Sequence, residues 1–191
     1  MSNEKMTPQK SISIIEDAMR KAQQEKTGAR FYLILWGILI VAYALTNFIS
    51  LRFPTPFTST LASLAWLVFP LGGLLSFLRT RKDDRTETTK PLNDSLYMFA
   101  WGGTGLCMGA TVLFAFNFKN LDVIPPVILL IFGFASFVTG GVTRFYPSLV
   151  GGIISILIGA AMFNLSLEYQ LLAGSAGICA ATVIPGLLMK K

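Results

Sequence analysis

From residue 31 onward the chain is a succession of apolar runs about 20 residues long, joined by short polar stretches. A helix of about 20 apolar residues crosses the hydrocarbon core of a bilayer. Six such spans are legible, at 31–50, 59–78, 95–116, 123–140, 146–163 and 169–189. Their connections are brief. Residues 51–58 carry Pro54 and Pro56, residues 117–122 are polar, and 166–168 is barely a turn, so consecutive helices are antiparallel neighbours. The longest connection is 79–93.

The first 30 residues have a different pattern. Thr7 followed by Pro8 is a helix-start signal, because the hydroxyl caps free N–H groups and proline fits the first helical position. Ile12, Ile15, Met19 and Ala22 then recur at helical spacing, widened by Ile14 and Ala18, while Lys10, Glu16, Asp17, Arg20 and Lys21 fill the polar side. With Gly28 as a stop, the pattern predicts a short amphipathic helix over 8–26 ahead of the first span. The run beginning at Phe31 is too late and too long for a cleaved signal peptide and is read as a retained helix. The organisation expected is a cytoplasmic segment at 1–30 and a six-helix transmembrane domain at 31–191.

Composition agrees: 53% of the 191 residues are apolar and 14% charged, where soluble domains carry roughly a quarter charged residues. The net charge of +6 is explained without nucleic acid once the basic residues are placed by side. Arg52 and Lys119 fall on one side of the six spans, and the other 14 of the 16 Lys and Arg fall on the opposite side. The positive-inside rule makes that richer side cytoplasmic, with both termini and the 79–93 connection. An odd number of spans would put Lys190 and Lys191 on the wrong side. No nucleic-acid partner is expected.

The cytoplasmic starts of the odd helices echo one another: Tyr32-x3-Trp36-Gly37, Tyr97-x3-Trp101-Gly102 and, more loosely, Tyr146-x3-Val150-Gly151. The echo points to an all-α membrane protein whose six transmembrane helices form three antiparallel hairpins. Small residues mark the faces expected to pack closely. These are Gly105 and Gly109 in the third span, Gly151, Ser155 and Gly159 in the fifth, and Ala173, Gly177 and Ala181 in the sixth. Pro70, before Gly72 and Gly73, and Pro185, before Gly186, are the candidate hinges, since proline removes a helical hydrogen bond.

Reactive chemistry is sparse. The chain has no histidine, and Cys107 and Cys179 both fall inside spans, so neither a disulfide framework nor a Cys/His zinc site is expected. Asp94, Asp122, Arg144 and Glu168 sit at helix ends, where a carboxylate before a helix acts as a cap. No ionisable residue lies deep in a span, which disfavours a proton-coupled pump and an intramembrane protease. The glycines around Gly102–Gly109 fail the dinucleotide spacing. No cofactor, metal or catalytic residue is assigned.

Several segments resemble a family of small, uncharacterised six-helix bacterial inner-membrane proteins. They are Ile14-Ile15-Glu16-Asp17-Ala18-Met19, Phe31-Tyr32-Leu33-Ile34-Leu35-Trp36-Gly37, Tyr146-Pro147-Ser148-Leu149-Val150-Gly151-Gly152 and Val183-Ile184-Pro185-Gly186-Leu187-Leu188. The resemblance covers most of the chain and implies the bacterial inner membrane as its place, with no activity to carry over. A more distant, fold-level likeness is to stress-associated membrane proteins built from repeated helical hairpins. The leading expectation is a non-enzymatic protein that binds or regulates a protein partner, cytoplasmic or membrane-embedded, on its cytoplasmic face. Ile12, Ile15, Met19 and Ala22 are its candidate contacts, and the same stripe also suits the inner leaflet or the protein's own loops. The alternative is a transporter or channel for a small neutral or lipidic solute. The sequence leaves the oligomeric state open.

Overall fold

The computed structural model describes the backbone of residues 8–84 and 92–189 and the side chains of residues 30–81 and 99–189. Every regular element among them is helical. The first helix, α1, runs over Pro8–Arg52 for 45 residues without a break, roughly 68 Å at the helical rise. The stop expected at Gly28 is not made. A glycine inside a helix costs only about 1 kcal/mol relative to alanine, whereas a glycine stop needs a left-handed residue, and no described glycine has positive φ. The amphipathic segment and the first span are therefore one rod. The side chains of Ile12, Ile15, Met19 and Ala22 lie outside the described residues.

The second span divides into α2, Pro56–Ala65, and α3, Val68–Asp84. Thr55 opens α2 as a cap, its hydroxyl accepting from the Thr58 N–H while the Thr58 hydroxyl accepts from the Thr55 N–H. The interruption lies at Trp66 and Leu67, one turn before the expected hinge at Pro70. Proline has no N–H for the carbonyl four residues back, and its ring crowds that carbonyl, so the distortion falls upstream. Leu67 N–H instead donates to Leu64 O at 3.0 Å and Phe69 N–H to Trp66 O at 3.3 Å, before Leu71 N–H to Leu67 O at 3.1 Å restores the regular pattern.

The remaining helices are α4, Leu92–Asn117, α5, Ile124–Val142, α6, Tyr146–Met162, α7, Leu167–Ile178, and α8, Ile184–Leu188. A 3-10 turn at Leu121–Val123 leads into α5, and a π-helical turn at Cys179–Val183 joins α7 to α8. Five helical stretches of 19 to 26 residues are long and apolar enough to cross a membrane. The sixth, α6, is apolar but has 17 residues. Its length of about 25 Å is at the short end for a span.

The tightest pairing is α5 against α6, across the boundary between the second and third expected hairpins. Glycines make it tight. A Cβ on Gly152 would lie 2.5 Å from Phe137 N and 2.7 Å from Gly133 O, and one on Gly140 would strike the Leu149 backbone. The last span, α7 through α8, packs against α1, α5 and α6, whereas α2 and α3 pack chiefly on α1 and α4 chiefly on α5. The buried apolar core of Leu129, Phe132, Met162, Ile178 and Ala181 therefore lies among α5, α6 and the last span.

Polarity is inverted relative to a water-soluble bundle. Phe57, Phe99, Leu106 and Leu113 are at least 70% exposed, while Ser136, Ser155, Gln170 and Thr182 are at most 2% exposed. An apolar exterior around a small, partly polar interior is compatible with a bundle surrounded by lipid. Outward glycines belong to the same exterior. Among the described residues nothing lies within 4 Å of a Cβ built on Gly105 or Gly109, so these two make no close helix contact within the chain. The face of α4 that packs on α5 carries Trp101, Thr104, Met108 and Ala115 instead, and Trp101 meets the Phe132 ring edge-on at 5.2 Å.

These environments separate the glycines energetically. Gly152→Leu is expected to destabilise the folded chain by about 1–3 kcal/mol, because backbone must move to admit the side chain. Gly105→Ala and Gly109→Ala are expected to be neutral or to stabilise by up to about 1 kcal/mol through helix propensity. Thermal unfolding of the three variants in one detergent measures the difference.

Candidate functional site

The feature that departs most from regular structure is the break in the last span. Pro185 has no N–H, so the ladder of α7 cannot run through it. The chain widens to π spacing over Cys179–Val183, where Ile184 N–H donates to Cys179 O. The next bond in that register would join residue 185 to Ala180 O, and proline cannot make it. The Ala180 carbonyl is thus released from the ladder where two other helices approach.

Both neighbours meet the turn with glycine. A Cβ on Gly151 of α6 would strike the Ala180 carbonyl oxygen and lie 3.0 Å from the Ala181 Cα. One on Gly37 of α1 would strike the Thr182 hydroxyl and lie 2.7 Å from a Val183 methyl. Gly186, just past the break, faces Ile34 of α1, whose Cγ1 would be 2.7 Å from an added Cβ. The widened turn is gripped between α1 and α6, and only residues without side chains fit at the grip.

Hydroxyls surround this contact. Thr182 Oγ1 donates to Ile178 O at 2.7 Å, occupying the carbonyl one turn back. The Ser155 hydroxyl is shared between Gly177 O at 2.7 Å across the interface and Gly151 O at 2.9 Å in its own helix. Gln170 closes the far end of the α6–α7 hairpin, its Nε2 donating to Met162 O at 3.2 Å and Leu165 O at 3.1 Å. Three further hydroxyls, Ser136 and Thr139 on α5 and Ser148 on α6, are buried without a hydrogen-bond partner. An unpartnered buried hydroxyl costs about 1–3 kcal/mol. Their helices converge on the broken span.

The sequence-derived residues divide clearly. Gly151 meets the break that Pro185 produces, and Ser155 meets the last span just ahead of it at Gly177, whose added Cβ would lie 2.8 Å from Leu129 Cδ2. Gly159 lies apart, against Leu130 of α5 at 3.1 Å. Pro70 shapes only the α2–α3 span, and Gly105 and Gly109 face outward. Cys107 is exposed and Cys179 lies half-buried at the start of the π turn, both as free thiols. Gly37 is marked in the sequence by the Tyr-x3-Trp-Gly echo and the aromatic segment 31–37, neither of which points to a packing role. Its counterparts differ: Gly151 grips the same turn from the other side, while Gly102 faces open space. Thr182, Ser148, Ser136 and Thr139 were not singled out. Polar residues inside apolar spans, two of them (Ser148 and Thr182) within three residues of a proline, were the signal available.

Chemically, the site offers neutral oxygen atoms: hydroxyls, plus the carbonyl freed by Pro185. None of the buried polar residues described is ionisable. No group of three His, Cys, Asp or Glu side chains able to hold a metal occurs among the described residues. Comparison with family models, curated proteins and solved structures returned no match.

The grip can be measured as a coupling. Gly37→Ala is expected to destabilise by about 1–3 kcal/mol through overpacking against Thr182. In a Thr182→Ala background, part of that cost is expected to disappear because the hydroxyl it strikes is gone. A double-mutant cycle on thermal or denaturant unfolding gives the coupling directly, and strict additivity would place the two residues out of contact.

Proposed function

We propose that the chain is a non-enzymatic, multi-pass protein of the bacterial inner membrane that recruits or regulates a protein partner through its N-terminal helix. In this reading six helices span the bilayer as three sequential hairpins, and both termini are cytoplasmic, as the 14-to-2 distribution of Lys and Arg requires. The observation that carries the reading is the uninterrupted α1, Pro8–Arg52. A span needs about 20 residues, so roughly the first half of this helix extends past the bilayer. A continuous helix does not fold back across the headgroups, and its stripe of Ile12, Ile15, Met19 and Ala22 is then offered to a partner groove at helical spacing. Six basic and four acidic residues over 1–30 give a mixed polar side, poorly suited to a purely lipid anchor.

Mild-detergent purification of the full chain beside a version lacking residues 1–27, with mass spectrometry and native mass of both, tests the reading. A stoichiometric partner is expected with the full chain, lost on truncation and lost again with Ile15→Glu in the intact chain. Identical contents in all three preparations would refute the partner role.

A second reading, passage of a small neutral solute, is favoured by one observation, the proline break in a last span packed against two helices that carry unpartnered buried hydroxyls. Discontinuous helices with freed carbonyls line substrate sites in many transporters. Under this reading proteoliposomes are expected to admit glycerol or urea faster than protein-free vesicles, and Pro185→Ala is expected to abolish the difference. Equal swelling rates with and without protein would exclude these two solutes.

A further inference from the structure

Along the outer side of the grip, α6 and the last span leave an open cleft of about 330 Å³, its walls including Tyr146, Val150, Ile154 and Ile184 and its floor formed by Gly151 and Ala180. Apart from the Tyr146 hydroxyl, every side chain lining it is apolar. A soluble metabolite needs a few placed polar groups to bind. A hydrocarbon chain needs none, and this cleft falls within the range of ligand sites in size.

The mouth of the cleft has a different character. Tyr146 begins α6, and two residues earlier the exposed Arg144 occupies the turn from α5 with φ 53°. That turn is closed by Phe145 N–H donating to Gly140 O at 2.9 Å and Arg144 N–H to Gly141 O at 3.3 Å, which fixes the arginine's backbone two residues ahead of the first residue that lines the cleft. Asp122 and Glu168, the acids with described side chains, make no ion pair with it and lie at the opposite ends of α5 and α6. The first turn of α6 is closed on itself, Ser148 N–H donating to Phe145 O at 3.1 Å and Pro147 having no N–H, so the charge at this end comes from Arg144.

An apolar cleft whose first lining residue, Tyr146, follows an exposed cation by two residues combines the two halves of one ligand. We propose that the cleft between α6 and the last span is a binding site for an anionic phospholipid of the surrounding bilayer, one acyl chain lying over Gly151 and Ala180 and the phosphate meeting Arg144. This rests on the membrane reading above and deepens it by naming a specific lipid partner. Charge complementarity selects the occupant: basic pockets between helices on the cytoplasmic side suit anionic headgroups, and a zwitterionic lipid gains less from them.

The test is native mass spectrometry of the full chain, purified in mild detergent and offered phosphatidylglycerol or phosphatidylcholine at equal concentration. The wild type is expected to retain phosphatidylglycerol preferentially. Arg144→Gly removes the charge and suits the left-handed backbone, so it is expected to fold. It should lower phosphatidylglycerol retention about fivefold, the weight of one basic residue at an anionic surface, and leave phosphatidylcholine unchanged. Ile154→Trp fills the cleft and is expected to reduce retention of both lipids. Equal retention of the two lipids by the wild type would overturn the site, as would full retention by Ile154→Trp or a dimer that displaces lipid from the cleft. A chain recovered without detergent in the soluble fraction would overturn the membrane reading and the site together. A chain that needs detergent yet shows no lipid preference would overturn the site alone.

Discussion

Pro185 imposes the constraint on which the rest of the bundle depends. A proline within a helical run leaves a carbonyl without its partner, and such a group out of reach of water is costly unless protein surrounds it. The last span therefore sits against α1, α5 and α6 rather than at the rim. Once it is central, its widened turn needs space that ordinary side chains would deny. Gly37 and Gly151 supply that space from opposite sides, and the Thr182 hydroxyl satisfies the Ile178 carbonyl within the span. The peripheral places go to helices whose own break is milder. In α2 and α3 a change of spacing over Leu64–Phe69 absorbs Pro70.

Most of the helices were legible because each is a long apolar run, and run length survives ignorance of packing. The breaks were harder. Proline marks a distortion but acts on the carbonyl four residues earlier, which moved the break from Pro70 to Trp66. It acted in the same direction at Pro185, where the π turn begins at Cys179. Gly28 shows the reverse error: glycine permits a stop without requiring one, and nothing after it demands a left-handed turn.

Packing faces were legible only in part. Spacing at every fourth residue identifies a smooth strip on a helix but not what covers it. Gly105 and Gly109 are as regularly spaced as Gly151, Ser155 and Gly159, yet the first pair faces outward and the others face protein. The close α5–α6 contact uses Gly133 of α5 against Gly152 of α6 and Gly140 of α5 against the Leu149 backbone. The two α5 glycines are seven apart, so they share a face without belonging to a four-residue pattern. The candidate site was less legible still, because its atoms come from four separate spans. Carbonyls freed by geometry leave no mark in a sequence.

The continuity of α1 has a mechanical consequence. Gly37, pressed against Thr182 at the centre of the bundle, and Pro8, at the far end of the same helix, belong to one hydrogen-bonded rod about 44 Å apart at the helical rise. A rod of this kind resists bending more than it resists turning about its axis. A small twist at the buried glycine contact swings every residue of the amphipathic stripe through the same angle. The buried glycine contact and the N-terminal stripe are thereby geared to each other through a single element, with no loop between them to absorb the motion.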